Sequence, residues 1–112
     1  MTTIGHYRGR TWRQATGTGW FSFEMNSRPH PRLQLVVTYW GSETEKREFD
    51  INVEGRTVAT QHLSRNSPGK FFDVPYPLPP DLTQARGSLT VRFSPHPGAI
   101  AGRVFGIRLV TY

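Results

Sequence analysis

The side chains in this sequence with the means to do chemistry are four histidines, eight carboxylates and an aromatic set that includes three tryptophans. Zinc sites need histidines or cysteines at fixed local spacing. His6, His30, His62 and His96 offer no H-x-x-x-H pair, His30 and His96 each sit inside a Pro-His-Pro triplet, and cysteine is absent. Zinc, disulfides and thiol nucleophiles are therefore not expected, and the redox compartment stays open. Glycosidase chemistry needs two carboxyl groups facing one cleft, about 5 to 10 Å apart. Glu24, Glu48 and Asp50 fall on the polar positions of alternating runs, and Asp73, between Phe72 and Val74, reads as the most enclosed acid. That pattern describes solvated strand faces, so no catalytic pair is expected. No G-x-S-x-G surrounds Ser42 or Ser94, and the glycines of Thr16-Gly17-Thr18-Gly19 precede a strand-like run instead of a helix. A nucleophile elbow and a phosphate cradle both fail on that ground. A structural calcium would require Glu24, Asp73 and a loop carbonyl to converge on folding. No other cofactor is expected.

Binding is the better prospect. In the run Val36-Val37-Thr38-Tyr39-Trp40, which stops at Gly41, Tyr39 shares the parity of Leu33, Leu35 and Val37 and points into a core. Trp40 then points the other way, with Gln34 and Thr38. Trp20 likewise shares its face with Ser22 and Glu24, opposite Phe21 and Phe23. Exposed indoles mark binding surfaces, and a sugar binds by laying its C–H face on an aromatic ring while its hydroxyls find polar partners. Trp40 and Trp20 are thus the candidate platforms, with Glu24, Gln34, Arg47 and Asn52 as the candidate hydrogen-bonding groups. Structural packing of the same indoles, through a bulge or a covering loop, is the competing reading.

The elements that must position these groups are strands. Nine prolines and eleven glycines punctuate the chain. Between them, period-2 runs predict strands at Trp20–Met25, Leu33–Trp40, Arg47–Val53, Arg56–Leu63, Phe71–Tyr76, Ser88–Ser94 and Arg103–Tyr112, the last placing Phe105, Ile107 and Leu109 on one face. Glu54-Gly55 predicts a two-residue hairpin turn. Pro75–Arg86 reads as a loop with at most one helical turn at Asp81–Ala85. This predicts an all-β, antiparallel β-sandwich or jelly roll of about seven to eight strands. With 112 residues, one domain spanning 1–112 is expected, its first 15 residues an irregular and flexible lead-in.

A net charge of +6 invites nucleic acid as a partner, but the arrangement argues against it. Beyond the cluster of Arg8, Arg10 and Arg13, the arginines are scattered singly, and through the middle of the chain they alternate with Glu43, Glu45, Glu48, Asp50 and Glu54. No apolar run approaches the ~18 residues of a membrane-spanning helix. The opening MTTIGHYRGR lacks the apolar stretch of a signal peptide, and localisation stays open.

The segments VVTYWG, FDINVEG, PGKFFDVPYPLP, SLTVRF, HPGAIAG and VFGIRL, preceded by HYRGRTWRQA and GWFSFE, carry a likeness in their order and spacing. Together they resemble, from about His6 to Leu109, the C-terminal β-sandwich domain of glycoside hydrolase family 127, the bacterial β-L-arabinofuranosidase-like group long catalogued as a domain of unknown function. The resemblance implies a non-catalytic accessory module, since that family's acids and zinc–cysteine cluster lie in a separate helical barrel. None of those residues has a counterpart here. Arg103 departs from the pattern, which favours a small residue before VFG, and joins the candidates as a sugar-facing donor. The jelly-roll shape is also similar to galactose-binding-like carbohydrate modules. The implied partners are a plant-type glycan or, in a purely structural role, the catalytic barrel or a second copy in a homodimer.

Overall fold

The structure, a computed structural model, describes residues 1–83 and 87–112. Its elements in chain order are β1 (Thr2–Tyr7), β2 (Arg10–Thr16), β3 (Phe21–Asn26), β4 (Leu33–Trp40), β5 (Arg47–Val53), β6 (Arg56–Leu63), β7 (Phe71–Pro77), α1 (Pro80–Thr83), β8 (Ser88–Pro95), β9 (Ile100–Val104) and β10 (Gly106–Thr111). The all-β sandwich expected from the alternation is observed, with ten strands among the described residues instead of seven or eight. The part of the expected helical turn that reaches Ala85 lies outside the described residues.

Two additions account for the difference. The irregular lead-in expected for the first 15 residues is instead a β1–β2 hairpin whose ladder runs from Thr2↔Ala15 to Tyr7↔Arg10. Its turn is Arg8-Gly9, with φ of 51° and 76°. Positive φ at both central residues is the twist-matched geometry of a two-residue hairpin. Glu54-Gly55 closes β5–β6 the same way, with φ of 52° and 80°. The second addition is a break at Phe105 within the expected last strand, where the chain leaves one sheet as β9 and enters the other as β10. Phe105 consequently does not line up with Ile107 and Leu109; its ring meets Phe71 at 5.0 Å.

The larger sheet has seven strands and the smaller three, in the order β10-β4-β7. Strand β5 is the hub of the larger sheet. It pairs antiparallel with β6 on one edge and β8 on the other, and makes one parallel bridge to β9, Arg47↔Ile100. Leu35, Val37 and Tyr39 of β4 face Phe49, Ile51 and Val53 of β5 and Leu89, Val91 and Phe93 of β8, all fully buried. Each such side chain contributes roughly 1.5–3 kcal/mol by leaving water. The tyrosine hydroxyls entering this core are paired: Tyr39 meets Tyr76 at 2.7 Å, and Tyr76 donates to Gln61 Oε1 of β6 at 2.6 Å.

The turn after Trp40 is fixed by close backbone approach. Any Cβ at Gly41 would collide with the Ser67 carbonyl. Gly41 also donates to the Lys70 carbonyl at 2.8 Å and accepts from Ser67, stitching the β4–β5 loop to the β6–β7 loop.

Candidate functional site

The sequence candidates do not form one site. Trp20 and Glu24 lie on the outer face of the larger sheet, Trp40 and Gln34 on the outer face of the smaller one, and Arg47 and Arg103 at the junction behind β9. Trp20 is 46% exposed with the Arg92 guanidinium 4.0 Å from its ring centre. Glu24 accepts only a long contact of 3.5 Å from the Thr90 hydroxyl. Gln34 is half-buried between Pro77 and Val110 on the neighbouring strands.

Trp40 obeys the predicted parity but is not an open platform, being only 9% exposed. The β1–β2 hairpin folds over it, with Tyr7 edge-on at 5.3 Å, the Arg8 guanidinium at 4.9 Å, and Phe71 of β7 at 4.9 Å. Arg47 is likewise not a surface donor. It shares the inward parity of Phe49, Ile51 and Val53 and is 2% exposed. Its Nε donates to the Thr44 carbonyl at 2.9 Å, and its Nη1 donates to Gln14 Oε1 and the Gly102 carbonyl, both at 3.1 Å. Arg103 is partly exposed, donates to the same Gln14 oxygen at 3.3 Å and covers the Trp12 ring at 4.4 Å. Both guanidinium groups come within 3.8 Å of the buried Glu43 carboxylate. This cluster is a structural anchor for the β4–β5 loop. The calcium set does not assemble, because Glu24 and Asp73 lie on opposite outer faces of the sandwich.

A concave site does exist on the smaller sheet, built mostly from residues that the sequence reading left aside. Register places Gly106 of β10, Thr38 of β4 and Asp73 of β7 in one row across its outer face, with Trp40↔Phe71 as the next row. A cleft of about 330 Å³ opens here, lined by Arg10, Thr38, Phe71, Phe72, Asp73 and Arg108. Asp73, expected to be the most enclosed acid, is instead exposed on this face. Its Oδ1 accepts the Thr38 hydroxyl at 2.6 Å and its Oδ2 accepts Arg108 Nη2 at 3.1 Å. The Thr38 hydroxyl has the largest effect and, with Arg108 and the charge of Arg10, holds the Asp73 carboxyl below its usual range against the opposing effect of burial, which ranks second. Arg10 arrives from the hairpin with its guanidinium 4.3 Å from the Phe71 ring centre. Among the described residues it is ion-paired to no carboxylate. The cleft therefore combines an ionised acceptor, two guanidinium donors and an aromatic wall. The outward parity of Asp73 with Phe71 was readable in advance; that Arg10 and Arg108 would join them was not.

The profile of a family described as a family of unknown function, DUF6805, matches residues 1–110. The chain belongs to DUF6805. No curated protein sequence matches it significantly. Among solved structures, this DUF6805 chain is similar to a family 35 carbohydrate-binding module from Clostridium thermocellum, at 14% identity and a TM-score of 0.71 over 99% of this chain and 88% of that one. It is also similar to part of an exo-β-1,3-galactanase from Phanerochaete chrysosporium solved with galactose, at 14% identity and a TM-score of 0.73 over 97% of this chain but 26% of the enzyme. A third neighbour, a family 35 module (Xyl-CBM35) in complex with a disaccharide containing glucuronic acid, aligns at 11% identity and a TM-score of 0.56, over 83% of this chain and 66% of that one. At such identities these likenesses establish the fold, and the galactose-binding-like sandwich expected from the sequence is the fold observed.

Proposed function

We propose that this DUF6805 domain is a non-catalytic carbohydrate-binding module of a larger carbohydrate-active enzyme, and that it takes an acidic sugar in the Arg10–Asp73–Arg108 cleft. One observation carries the reading. Among the described residues the cleft sets two guanidinium groups, Arg10 over Phe71 and Arg108, against one carboxylate, Asp73, which Thr38 and Arg108 engage directly and Arg10 only through its charge. A carboxylate on the ligand would supply the missing counter-charge to Arg10, with bidentate geometry available. Ring hydroxyls would donate to Asp73, while Phe71, capped by Arg10, walls the cleft. The glucuronic-acid complex of one structural neighbour supports this choice of ligand class by analogy alone.

Attachment to a hydrolase is supported by the galactanase, where a domain of this fold makes up about a quarter of the chain. The sequence likeness to family 127 glycosidases nominates that group as the parent. A domain that only packs on the catalytic barrel is the alternative, and the same coverage favours it equally.

Titration calorimetry with glucuronate- and galacturonate-containing oligosaccharides separates the two. Binding to the native domain that is lost in Arg10→Ala and in Asp73→Asn supports the module. Absence of heat for the whole panel, together with association with a family 127 barrel supplied in trans, supports the structural role.

A further inference from the structure

The larger sheet carries a second platform, on the opposite outer face from the cleft. Trp20 is 46% exposed, yet it is not loosely held. Its carbonyl accepts the Thr2 hydroxyl at 2.9 Å, and the preceding Gly19 donates to the Thr16 carbonyl at 3.0 Å. The Arg92 guanidinium lies over the indole at 4.0 Å. An exposed tryptophan costs solubility and gains nothing in the core, so one that is fixed from both backbone and side chain is prearranged for contact.

What surrounds Trp20 defines the ligand. Register sets Ser22 opposite Arg92 and Arg92 opposite Asn52, with Ser94 opposite Asp50 in the next row. Asn52 accepts the Thr57 hydroxyl at 2.7 Å through its oxygen, which leaves its amide hydrogens available as donors. Asp50 accepts Thr60 at 2.7 Å and His96 at 2.8 Å, and is thereby ordered. Among the described residues, the Ser22 and Ser94 hydroxyls and the Arg92 guanidinium have no hydrogen-bonding or ionic partner in the protein. The face thus presents an indole, free hydroxyls, an amide and one arginine flanked by the carboxylate rows of Glu24 and Asp50. This balance carries no surplus positive charge, unlike the cleft.

We infer that Trp20, Arg92, Ser22, Ser94 and Asn52 form a second glycan-binding surface, for a neutral pyranoside chain lying across β3, β8 and β5. Its C–H face stacks on the indole face that Arg92 leaves open, and its hydroxyls bridge to the serines, the amide and the guanidinium N–H groups of Arg92. The surface does not depend on the acidic-sugar cleft. A domain holding both would bind two different stretches of glycan, one on each outer face.

The test is affinity electrophoresis of the intact domain in gels containing neutral xylan, β-galactan or β-glucan, with tryptophan fluorescence read in parallel. Native protein is expected to be retarded by at least one of the three, with a change in emission. Trp20→Ala should weaken retardation by about tenfold or more, as truncation of an aromatic anchor does. Trp20→Phe should keep part of the retardation while losing the emission change, since Trp40 is covered by the hairpin and Trp12 lies beneath Arg103. Arg92→Ala should weaken it by several-fold. Circular dichroism confirms that each variant is folded, which the exposure of Trp20 favours. No retardation of the native domain in any of the three gels overturns the inference, as does retardation that Trp20→Ala leaves intact. The acidic-oligosaccharide titration tests the cleft independently, so either site can fail alone.

Discussion

The Thr38 hydroxyl donates to the Asp73 carboxylate at 2.6 Å across the β4–β7 ladder, and the two side chains stand directly opposite one another. This one bond does more than Arg108 to keep Asp73 ionised beside Arg10. An acceptor that stays charged in mild acid is what a hydroxyl-binding cleft requires.

Thr38→Val keeps the shape and removes that bond. The Asp73 pKa, lowered in the native domain, should climb toward its ordinary value near 3.8. Acidic-sugar binding should then begin to fail at a higher pH than in the native domain. Carbon-detected NMR titration of Asp73, run with calorimetry between pH 3 and 6, reads both effects; an unmoved Asp73 midpoint would contradict the assignment.

In its protonated form His96 donates from both ring nitrogens, to Glu48 at 2.9 Å and to Asp50 at 2.8 Å. The Asp50 bond first, and then Glu48, raise its pKa above the ordinary 6.5, while His96 and then Thr60 lower that of Asp50 below 3.8. The histidine contribution to stability is fully present below about pH 6.5 and is lost as pH rises through the raised value. The aspartate contribution is present above about pH 3.8 and is lost as pH falls through the lowered value. Urea midpoints should therefore peak in mild acid and decline on both sides. In His96→Asn the decline on the alkaline side should disappear.

Arg47 cannot be truncated cheaply. Arg47→Ala strands the Thr44 and Gly102 carbonyls and leaves Gln14 and the buried Glu43 carboxylate to the partly exposed Arg103 alone. Breaking one side of such a buried set costs about 3–5 kcal/mol, a fall of more than about 10 °C in Tm. Arg103→Ala, partly exposed, should cost under about 1 kcal/mol in the same thermal melts.

The buried hydroxyl pair makes an ordered comparison. Because Tyr76 donates to Gln61, Tyr39 is the donor to Tyr76. Tyr39→Phe removes a single donor and should cost about 0.5–1.5 kcal/mol. Tyr76→Phe leaves both the Tyr39 hydroxyl and Gln61 without their partner and should cost more, about 1–3 kcal/mol by chemical denaturation.

The strands were legible because each buries one face, so that Phe49, Ile51 and Val53 repeat at period two. Arg47 shares their parity, but its charge marks it as a ligand-facing donor, and its inward position is a correction to that expectation. Trp40 was half legible. Its direction followed from Tyr39, but its cover is the β1–β2 hairpin, whose turn is Arg8-Gly9. Arginine at positive φ is an uncommon turn residue, and that signal was missed. The cleft was the least legible part. Thr38, Asp73 and Arg108 come from three strands, and Arg10 comes from the other sheet. Their meeting depends on ladder register and on how the hairpin folds over the smaller sheet, and no local pattern encodes either.

The most direct test of the acidic-sugar cleft is an NMR titration of the labelled domain with a glucuronate-containing disaccharide, following arginine Nε–Hε resonances. The proposed site predicts saturable shifts of Arg10 and Arg108 that vanish in Asp73→Asn, with Arg47 unmoved. Shifts confined to other arginines, or none at all at saturating sugar, would contradict it.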